Sequence, residues 1–323
     1  MTSILTNASA MTALKNLNMT NNKLEVTQAR ISTGLRVSEA ADNAAYWSIA
    51  TQMRSDNKAL STVQDALGLG AAKVDVAYTG LNSAIEVVDE IKSKLVASRE
   101  AGVDRSKIQD EIGELQTQLV SISTSASFVG ENWLSVDSSV AGFNATKSVV
   151  ASFTRATDGS VSVGTISINI SSTILFDGAA DAAGPAGVGV IDAFRDTTGA
   201  IIAGQNAPTA TDFALSTMDI SALTNSTADL TTLEQHISRA DAALSEMTTA
   251  AGSLGAAKKS ISMQNEFITN LMDAVDRGVG QLVDANMNSE STRLQALQVQ
   301  QQLGIQALSI ANSASQTILS LFR

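Results

Sequence analysis

The chain has no cysteine, one histidine, two prolines and few aromatics, which make up 4% of its 323 residues. Without cysteine there is no disulfide framework, no thiol nucleophile and no thiolate metal site. With His236 as its single imidazole the chain can build neither a multi-histidine metal site nor the H-E-x-x-H zinc pattern, although a Ser-His-Asp triad remains formally possible. Charge is also scarce, at 16% of residues against roughly 25% in an ordinary soluble domain. It is unbalanced, with 21 basic and 32 acidic residues giving a net charge of -11, which argues against nucleic acid as a partner. No uninterrupted apolar run reaches the ~18 residues of a membrane span. Met1 to Met19 lacks a basic start followed by an apolar block and a cleavage site, so export is expected by a route that cleaves no such leader. No cofactor is expected, and the length suffices for two or three domains with a sizeable core.

What is present is distributed unevenly. Residues 1–45 and 285–323 together sum to +2, which leaves the middle at -13. From Tyr46 to Leu95 a seven-residue repeat runs without a slip through Met53, Leu60, Leu67, Val74, Leu81 and Val88, with Ile49, Val63, Ala77, Ala84 and Ile91 as partner positions. This predicts a long helix capped near Asp42 or Asn43 and stopping at Gly102, about 80 Å at ~1.5 Å per residue. Gly68, Gly70 and Gly80 weaken its propensity. A second helix is expected to bury Ile108, Ile112, Leu115, Leu119 and Ile122.

Residues 141–225 turn to Ser, Thr, Gly and Ala with β-branched alternation, and both prolines, Pro185 and Pro208, fall there. Asp158-Gly159 before Val161, Val163, Ile166, Ile168 and Ile170 predicts a hairpin with a register change near Gly164. The helical pattern then returns, with Thr231 to Glu234 as its expected capping box. Leu233, Ala240, Met247, Leu254, Ile261, Ile268, Val275 and Leu282 follow at sevens, with Leu230, Ile237, Leu244, Met272 and Val279 beside them. This line is the natural mate of the Tyr46–Leu95 seam. The fold class is therefore mainly α: long heptad-patterned helices forming a discontinuous coiled-coil rod, with a small β-rich domain inserted and projecting from its far end. The expected domains are 1–45 with 285–323, 46–140 with 226–284, and the insert 141–225.

The two ends carry the functional argument. Leu17, Leu24 and Ile31 form one heptad line and Leu14, Asn21, Gln28 and Leu35 another. At the other end, Leu294 to Phe322 contains no formal charge. Its lines are Leu294, Gln301, Leu308, Ser315, Phe322 and Leu297, Gly304, Ala311, Ile318, while Leu303 and Ile310 add a second apolar face. Such a helix is a poor surface element. Residues 1–35 can cover one face, and the second needs neighbouring molecules. Six glutamines between Gln295 and Gln306 make a bilayer span implausible, since each amide needs a partner in hydrocarbon. Equivalent head-to-tail contacts do not close and propagate as a helical filament. The axial candidates are Leu14, Leu17, Leu24, Ile31, Leu35, Leu294, Leu297, Leu303, Leu308, Ile310, Ile318 and Phe322.

The run Ile31-Ser-Thr-Gly-Leu-Arg36, followed by Asp42-Asn-Ala-Ala45, resembles the N-terminal signature of bacterial flagellin. The stretch Leu303 to Arg323, with Gln306-Ala-Leu-Ser-Ile-Ala-Asn312 inside it, resembles that family's closing segment. The resemblance implies a self-assembling structural subunit of the extracellular flagellar filament, the propeller of swimming, and not an enzyme. It implies polymerisation with itself or related flagellins, and partners in the filament cap, the hook-filament junction proteins, the export apparatus and a cytoplasmic export chaperone. A hook-filament junction protein is the alternative within the flagellum. An enzyme carried on the same frame lacks the metal-binding residues it would need. Two departures stand out. Asp284-Ala285-Asn286 replaces an acidic D-A-D step, and the family's R-x-x-x-L core for an innate immune receptor aligns with Lys92 and Val96, which implies weak recognition.

Other motifs have plainer readings. Glu86, Asp89 and Glu90 are expected on a solvated face, and His236 at the rim of a seam. Gly187-Val-Gly189 lacks the third glycine of a dinucleotide loop. Asp177 to Gly184 has too few carboxylates for a calcium loop. Asn144 and Asn169 fit an N-glycan acceptor pattern and are expected in surface turns.

Overall fold

A computed structural model describes residues 7–178, 189–202 and 213–321. Pro185, Pro208, Gly187, most of Asp177 to Gly184, and Phe322 lie outside the described residues. In chain order the elements are α1 (Ala8–Thr33), α2 (Ala44–Ala97), α3 (Arg105–Ser125), β1 (Ser127–Phe128), β2 (Glu131–Asn132), β3 (Ser135–Val136), β4 (Thr146–Arg155), β5 (Val161–Asn169), β6 (Phe176–Asp177), α4 (Thr227–Val283) and α5 (Met287–Leu321). The fold is mainly α with a small strand-rich part, as the sequence predicts. Packing divides the chain into two compact units, residues 1–59 with 271–323 and residues 60–270.

In the second unit the heptad seams of α2 and α4 close on each other. Leu60, Leu67, Val74, Leu81, Val88 and Leu95 are buried, as are Leu233, Ala240, Met247, Leu254, Ile261 and Ile268. Their polar flanks show an antiparallel register that does not slip. Gln64 donates to Thr269, Lys258 pairs with Asp75, Lys92 with Asp241 and Arg99 with Glu234, each step forward on α2 matching an equal step back on α4. These flanking pairs are solvent-exposed and contribute little individually. The apolar seam supplies the stability, and the pairs select the alignment. In the first unit the line loosens, since Tyr46 and Ile49 are exposed and Met53 is only partly covered.

Local chemistry corrects two helix ends. Asn43 caps α2 by accepting from the Tyr46 N–H, as expected, but the helix stops at Ala97 and the chain turns through residues 98–102 before Gly102 adopts a left-handed φ of 93°. α4 does not open at Thr231. Ser226 caps it by accepting from the Asp229 N–H, and the Asp229 carboxylate reaches back to the N–H and hydroxyl of Thr224. These bonds, the Thr224 hydroxyl first, hold the Asp229 carboxyl below its ordinary range. Thr231 and Thr232 instead return their hydroxyls to carbonyls one turn earlier in the helix.

The strand-rich part also differs from expectation, because it lies alongside α2 rather than beyond its end. α3 runs back after the turn, with Ile112 and Leu119 buried and Ile108, Leu115 and Ile122 partly so. It delivers the chain to the middle of α2, where a Cβ on Gly80 would stand 2.7 Å from Leu134 and one on Gly70 only 2.2 Å from Val149. Two of the three glycines that cost helix propensity, Gly70 and Gly80, are thus points of close approach. β4 and β5 form the expected hairpin, and the register shift falls between Val150 and Ser152, with Ser152 opposite Gly164. Farther along the chain, Arg195 is fully buried and fixes the insert to α4. Its guanidinium makes a two-point pair with Glu246 at 3.1 and 2.7 Å and donates to the carbonyls of Gly199 and Val190.

Alanine at two neighbouring glycines of α2 should have opposite effects. Gly68 faces open space, so Gly68→Ala should stabilise by up to about 1 kcal/mol through helix propensity. Gly70→Ala should destabilise by about 1–3 kcal/mol, because Val149 and its strand must move. Denaturant unfolding of the two variants measures both, and stabilisation by Gly70→Ala would contradict the close approach.

Candidate functional site

The site is built in the first unit, where α1 and α5 pack antiparallel. The side chain of Asn7 both caps α1, accepting from the Ala10 N–H, and donates to the carbonyl of Ala311 at 2.8 Å. Gln301 donates to Asn21, and Arg30 reaches Glu290 at 3.4 Å. Gly304 lets the helices approach, since a Cβ there would stand 3.2 Å from Leu17. The amides in the seam therefore set which residues face each other.

A second set of contacts ties the bases of these helices together. Gly34 ends α1 in the left-handed region at φ 73°, its N–H bonding the Arg30 carbonyl and its own carbonyl accepting from the Ala285 N–H. Leu35 bridges Asp284, and the N–H groups of Arg36 and Val37 both donate to the Val283 carbonyl. The Arg36 guanidinium donates to the Leu282 carbonyl at 2.8 Å. Val37, Ala50, Val279 and Val283 form the apolar cluster beneath, and Leu35 packs against it. Within Ser32-Thr-Gly-Leu-Arg36 the glycine thus supplies the positive φ, the leucine packs on the cluster and the arginine holds a carbonyl. Asp42 gathers the next turn by accepting from the N–H groups of Ser38 and Glu39, which hold its carboxyl below the usual range. Asn286 accepts from the Ser289 N–H and caps α5. An amide oxygen performs that bond as a carboxylate would, so the Asp284-Ala285-Asn286 departure leaves the helix start intact.

The axial candidates divide into two faces. Leu17, Leu24, Ile31, Leu35, Leu294 and Leu308 are partly buried and Leu297 is 6% exposed, all on the side where the helices meet. Leu14, Leu303 and Ile310 are 48%, 58% and 68% exposed, and Val299 joins Leu303 and Ile310 on one line of α5, while the exposed Ile305 lies about 200° around the helix from Leu303. The backbone of α5 is described through Leu321, but the side chain of Ile318 is outside the described ones. The second apolar face predicted from Leu303 and Ile310 is therefore present and uncovered in the single chain. Sequence periodicity misses Arg36, Val37, Val283 and Asn286, whose roles depend on backbone groups rather than on spacing. The S-T-G-L-R run is the signal that points to them.

The remaining motifs hold no catalytic arrangement among the described residues, and no cluster there could hold a metal. Glu86, Asp89 and Glu90 lie on the polar flank of α2, and Asn144 and Asn169 accept from backbone N–H groups two residues on, in surface turns. His236 is not at a rim. It is 1% exposed, stacked edge-on against Phe213 at 5.3 Å and 3.2 Å from Arg239. Burial, reinforced by the Arg239 charge, pushes its pKa down to about 4.

The folded chain is thus a helical structural protein that covers one apolar face of its last helix and leaves the other exposed. Residues 4–138 match the bacterial flagellin N-terminal helical region and residues 237–322 the bacterial flagellin C-terminal helical region. The chain is similar to Flagellin C of Rhizobium meliloti (strain 1021), 52% identical over 331 residues, to Flagellin A of Rhizobium meliloti, 44% over 403 residues, and to the flagellin of Brucella melitensis biotype 1, 46% over 324 residues. Each alignment covers 100% of both chains. The chain belongs to the bacterial flagellin family. It is a structural subunit that self-assembles into the extracellular flagellar filament, and a hook-filament junction protein finds no better support. Among the described residues no helix is long and apolar enough to cross a membrane.

The buried histidine sets a pH dependence. The folded state holds His236 neutral down to about pH 4, whereas the unfolded chain takes up a proton at about 6.5, so its contribution is complete above pH 6.5 and is lost as pH falls toward 4. The size is on the order of 3 kcal/mol. Unfolding free energies of the wild type should fall by about that much more than those of His236→Gln over this window. Parallel pH profiles would contradict the buried neutral imidazole.

Proposed function

We propose that α1 and α5 form the axial part of the filament, with Leu17, Leu24, Ile31, Leu35, Leu294, Leu297 and Leu308 holding the pair together and Leu14, Leu303 and Ile310 meeting neighbouring copies. Ile318 and Phe322 extend the same lines. In this reading residues 1–45 with 285–323 line the inner tube, residues 46–140 with 226–284 make the outer tube, and residues 141–225 face solvent. The observation that carries it is the exposed stripe of Val299, Leu303 and Ile310 on a helix that has no charge after Arg293. An apolar stripe of this length is covered in the working state of a soluble protein.

The cap, the hook-filament junction proteins, the export apparatus and an export chaperone are the partners this placement supplies. Export without a cleaved leader belongs to the same reading, because the helix starting at Ala8 is a packed partner of α5 and is needed in the mature subunit. Lys92 is engaged with Asp241 and Val96 stands exposed, so the positions equivalent to the innate receptor core offer a tethered amine and a small aliphatic group. That supports weak recognition there.

Two aspartates separate the faces. Ile310→Asp should leave the melting of the monomer unchanged and abolish filament growth, while Leu297→Asp, placed in the buried seam, should also lower monomer helicity at a cost of several kcal/mol, on the order of the ~2–7 for an unpaired buried polar group. Deleting residues 294–323 should leave a helical monomer that does not polymerise. Sedimentation after seeding, with circular dichroism of the monomers, reads both effects; filaments from Ile310→Asp at normal yield would refute the exposed face as an interface.

A further inference from the structure

The buried ring of His236 has one hydrogen-bond partner, Arg239, which lies one turn on along α4 and brings a guanidinium nitrogen 3.2 Å from Nδ1. A guanidinium only donates, so Nδ1 accepts and the ring proton sits on Nε2. The same Arg239 side chain fastens a separate piece of chain to the helix. Its Nε donates to the carbonyls of Arg195 and Asp196 at 3.2 and 3.0 Å, and its charged end lies 5.6 Å from the centre of the Phe213 ring, which also covers His236. Residues 195–200 and Phe213 form one layer, since the Arg195 N–H donates to the Phe213 carbonyl and the Asp196 N–H to the Ala200 carbonyl. That layer sits so close to α4 that a Cβ on Gly199 would stand 2.8 Å from Ala242.

This arrangement tolerates one protonation state. A second ring proton would sit on Nδ1, donor against donor, and would set two like charges 3.2 Å apart and out of water. The two side chains are three positions apart on one face of α4, so neither can retreat from the other within the helix. Water reaches the imidazolium only if the layer above it lifts. The other charged groups around the ring are engaged elsewhere. Arg99 of α2 is turned to Glu234, Arg105 of α3 to the carbonyls of Ser98 and Leu223, and Arg195 of the layer to Glu246. The Asp196 carboxyl is held below its ordinary range, first by the Thr198 hydroxyl and then by N–H groups of its own turn, so it stays ionised where a histidine titrates.

We propose that His236 and Arg239 form an acid-released clasp, in which protonation of the imidazole frees Phe213 and residues 195–200 from α4 while the α2/α4 seam stays closed. The seam does not share the trigger, because Leu233, Ala240, Met247 and Leu254 are buried and apolar. One layer of the strand-rich part thereby responds to acid and the helical pair beneath it does not. The clasp lies wholly within residues 60–270 and is independent of the axial placement proposed above.

Hydrogen exchange of the full chain between pH 7 and pH 4, read by mass spectrometry and corrected for the intrinsic rate, follows the layer at residues 195–202 and the seam at residues 244–268. The imidazole takes up its proton at about 4 when held and at its ordinary 6.5 when released, so protection of the layer should fall about a hundredfold over this range. Circular dichroism at pH 4 should still show intact helices, and the seam amides should remain at least about tenfold better protected than the layer. His236→Asn puts an amide oxygen near the place of Nδ1 and takes up no proton, so it should keep protection of the layer within about threefold over the same range. Arg239→Gln removes the fastening side chain and should lower protection of the layer already at pH 7 with helicity unchanged, which reads the clasp even where the asparagine variant does not fold. Protection at residues 195–202 that is unchanged by acid, that equals the seam's at every pH, that falls as far in His236→Asn, or that is unaffected by Arg239→Gln would overturn the clasp.

Discussion

The constraint on which the structure depends is that α5 has almost no charge and, among the described residues, packs chiefly against one helix, α1. α1 can cover a single side of it, and the residues on that side are small or amide-bearing where the helices approach, as at Gly304 and Gln301. Val299, Leu303, Ile305 and Ile310 remain in water. Burying each such side chain is worth about 1.5–3 kcal/mol, so four on one helix supply a driving force that can exceed the ordering cost of association. The unit of residues 60–270 is different in kind. Its seam is closed by residues of the same chain from Leu60 to Leu95, and it needs no neighbour to bury them. The proposed axial contact thus falls where the chain has withheld both charge and cover.

The two terminal helices are held in register within the single chain. The junction at Gly34 to Val37 and Val283 to Asn286 does this with main-chain bonds, which do not depend on long flexible side chains. The side-chain bonds of Asn7 and Gln301 then fix the alignment along the pair. Glutamines keep the outer surface of α5 solvated without adding formal charge to it.

Much of the fold is legible in the sequence because heptads are local and repetitive. The seams of α2 and α4, the hairpin turn at Asp158-Gly159 and the bulge opposite Gly164 follow from periodicity and turn chemistry, and so does the uncovered face carrying Leu303 and Ile310. The features that are not legible depend on contacts between distant segments. Gly70 and Gly80 read as weak points because propensity is an average over neighbours, whereas Val149 and Leu134 arrive from elsewhere in the chain. The start of α4 is ambiguous in sequence because Thr231 to Glu234 fits the capping pattern as well as Ser226 to Asp229 does. Only the loop before it, which supplies Thr224 to the Asp229 carboxylate, decides between them. The burial of His236 under Phe213 cannot be read from the α4 pattern alone, since Phe213 comes from the strand-rich part.

The absence of native cysteine allows the central claim to be measured one position at a time. Single thiols placed by Ile310→Cys and Leu297→Cys can be labelled with a maleimide in dilute monomer and in sedimented filaments. With one inner and one outer apolar face on α5, Ile310→Cys should label rapidly in monomer and slowly in filament, and Leu297→Cys slowly in both. Equal rates at Ile310→Cys in the two states would show that its face is never covered, and the account would be wrong.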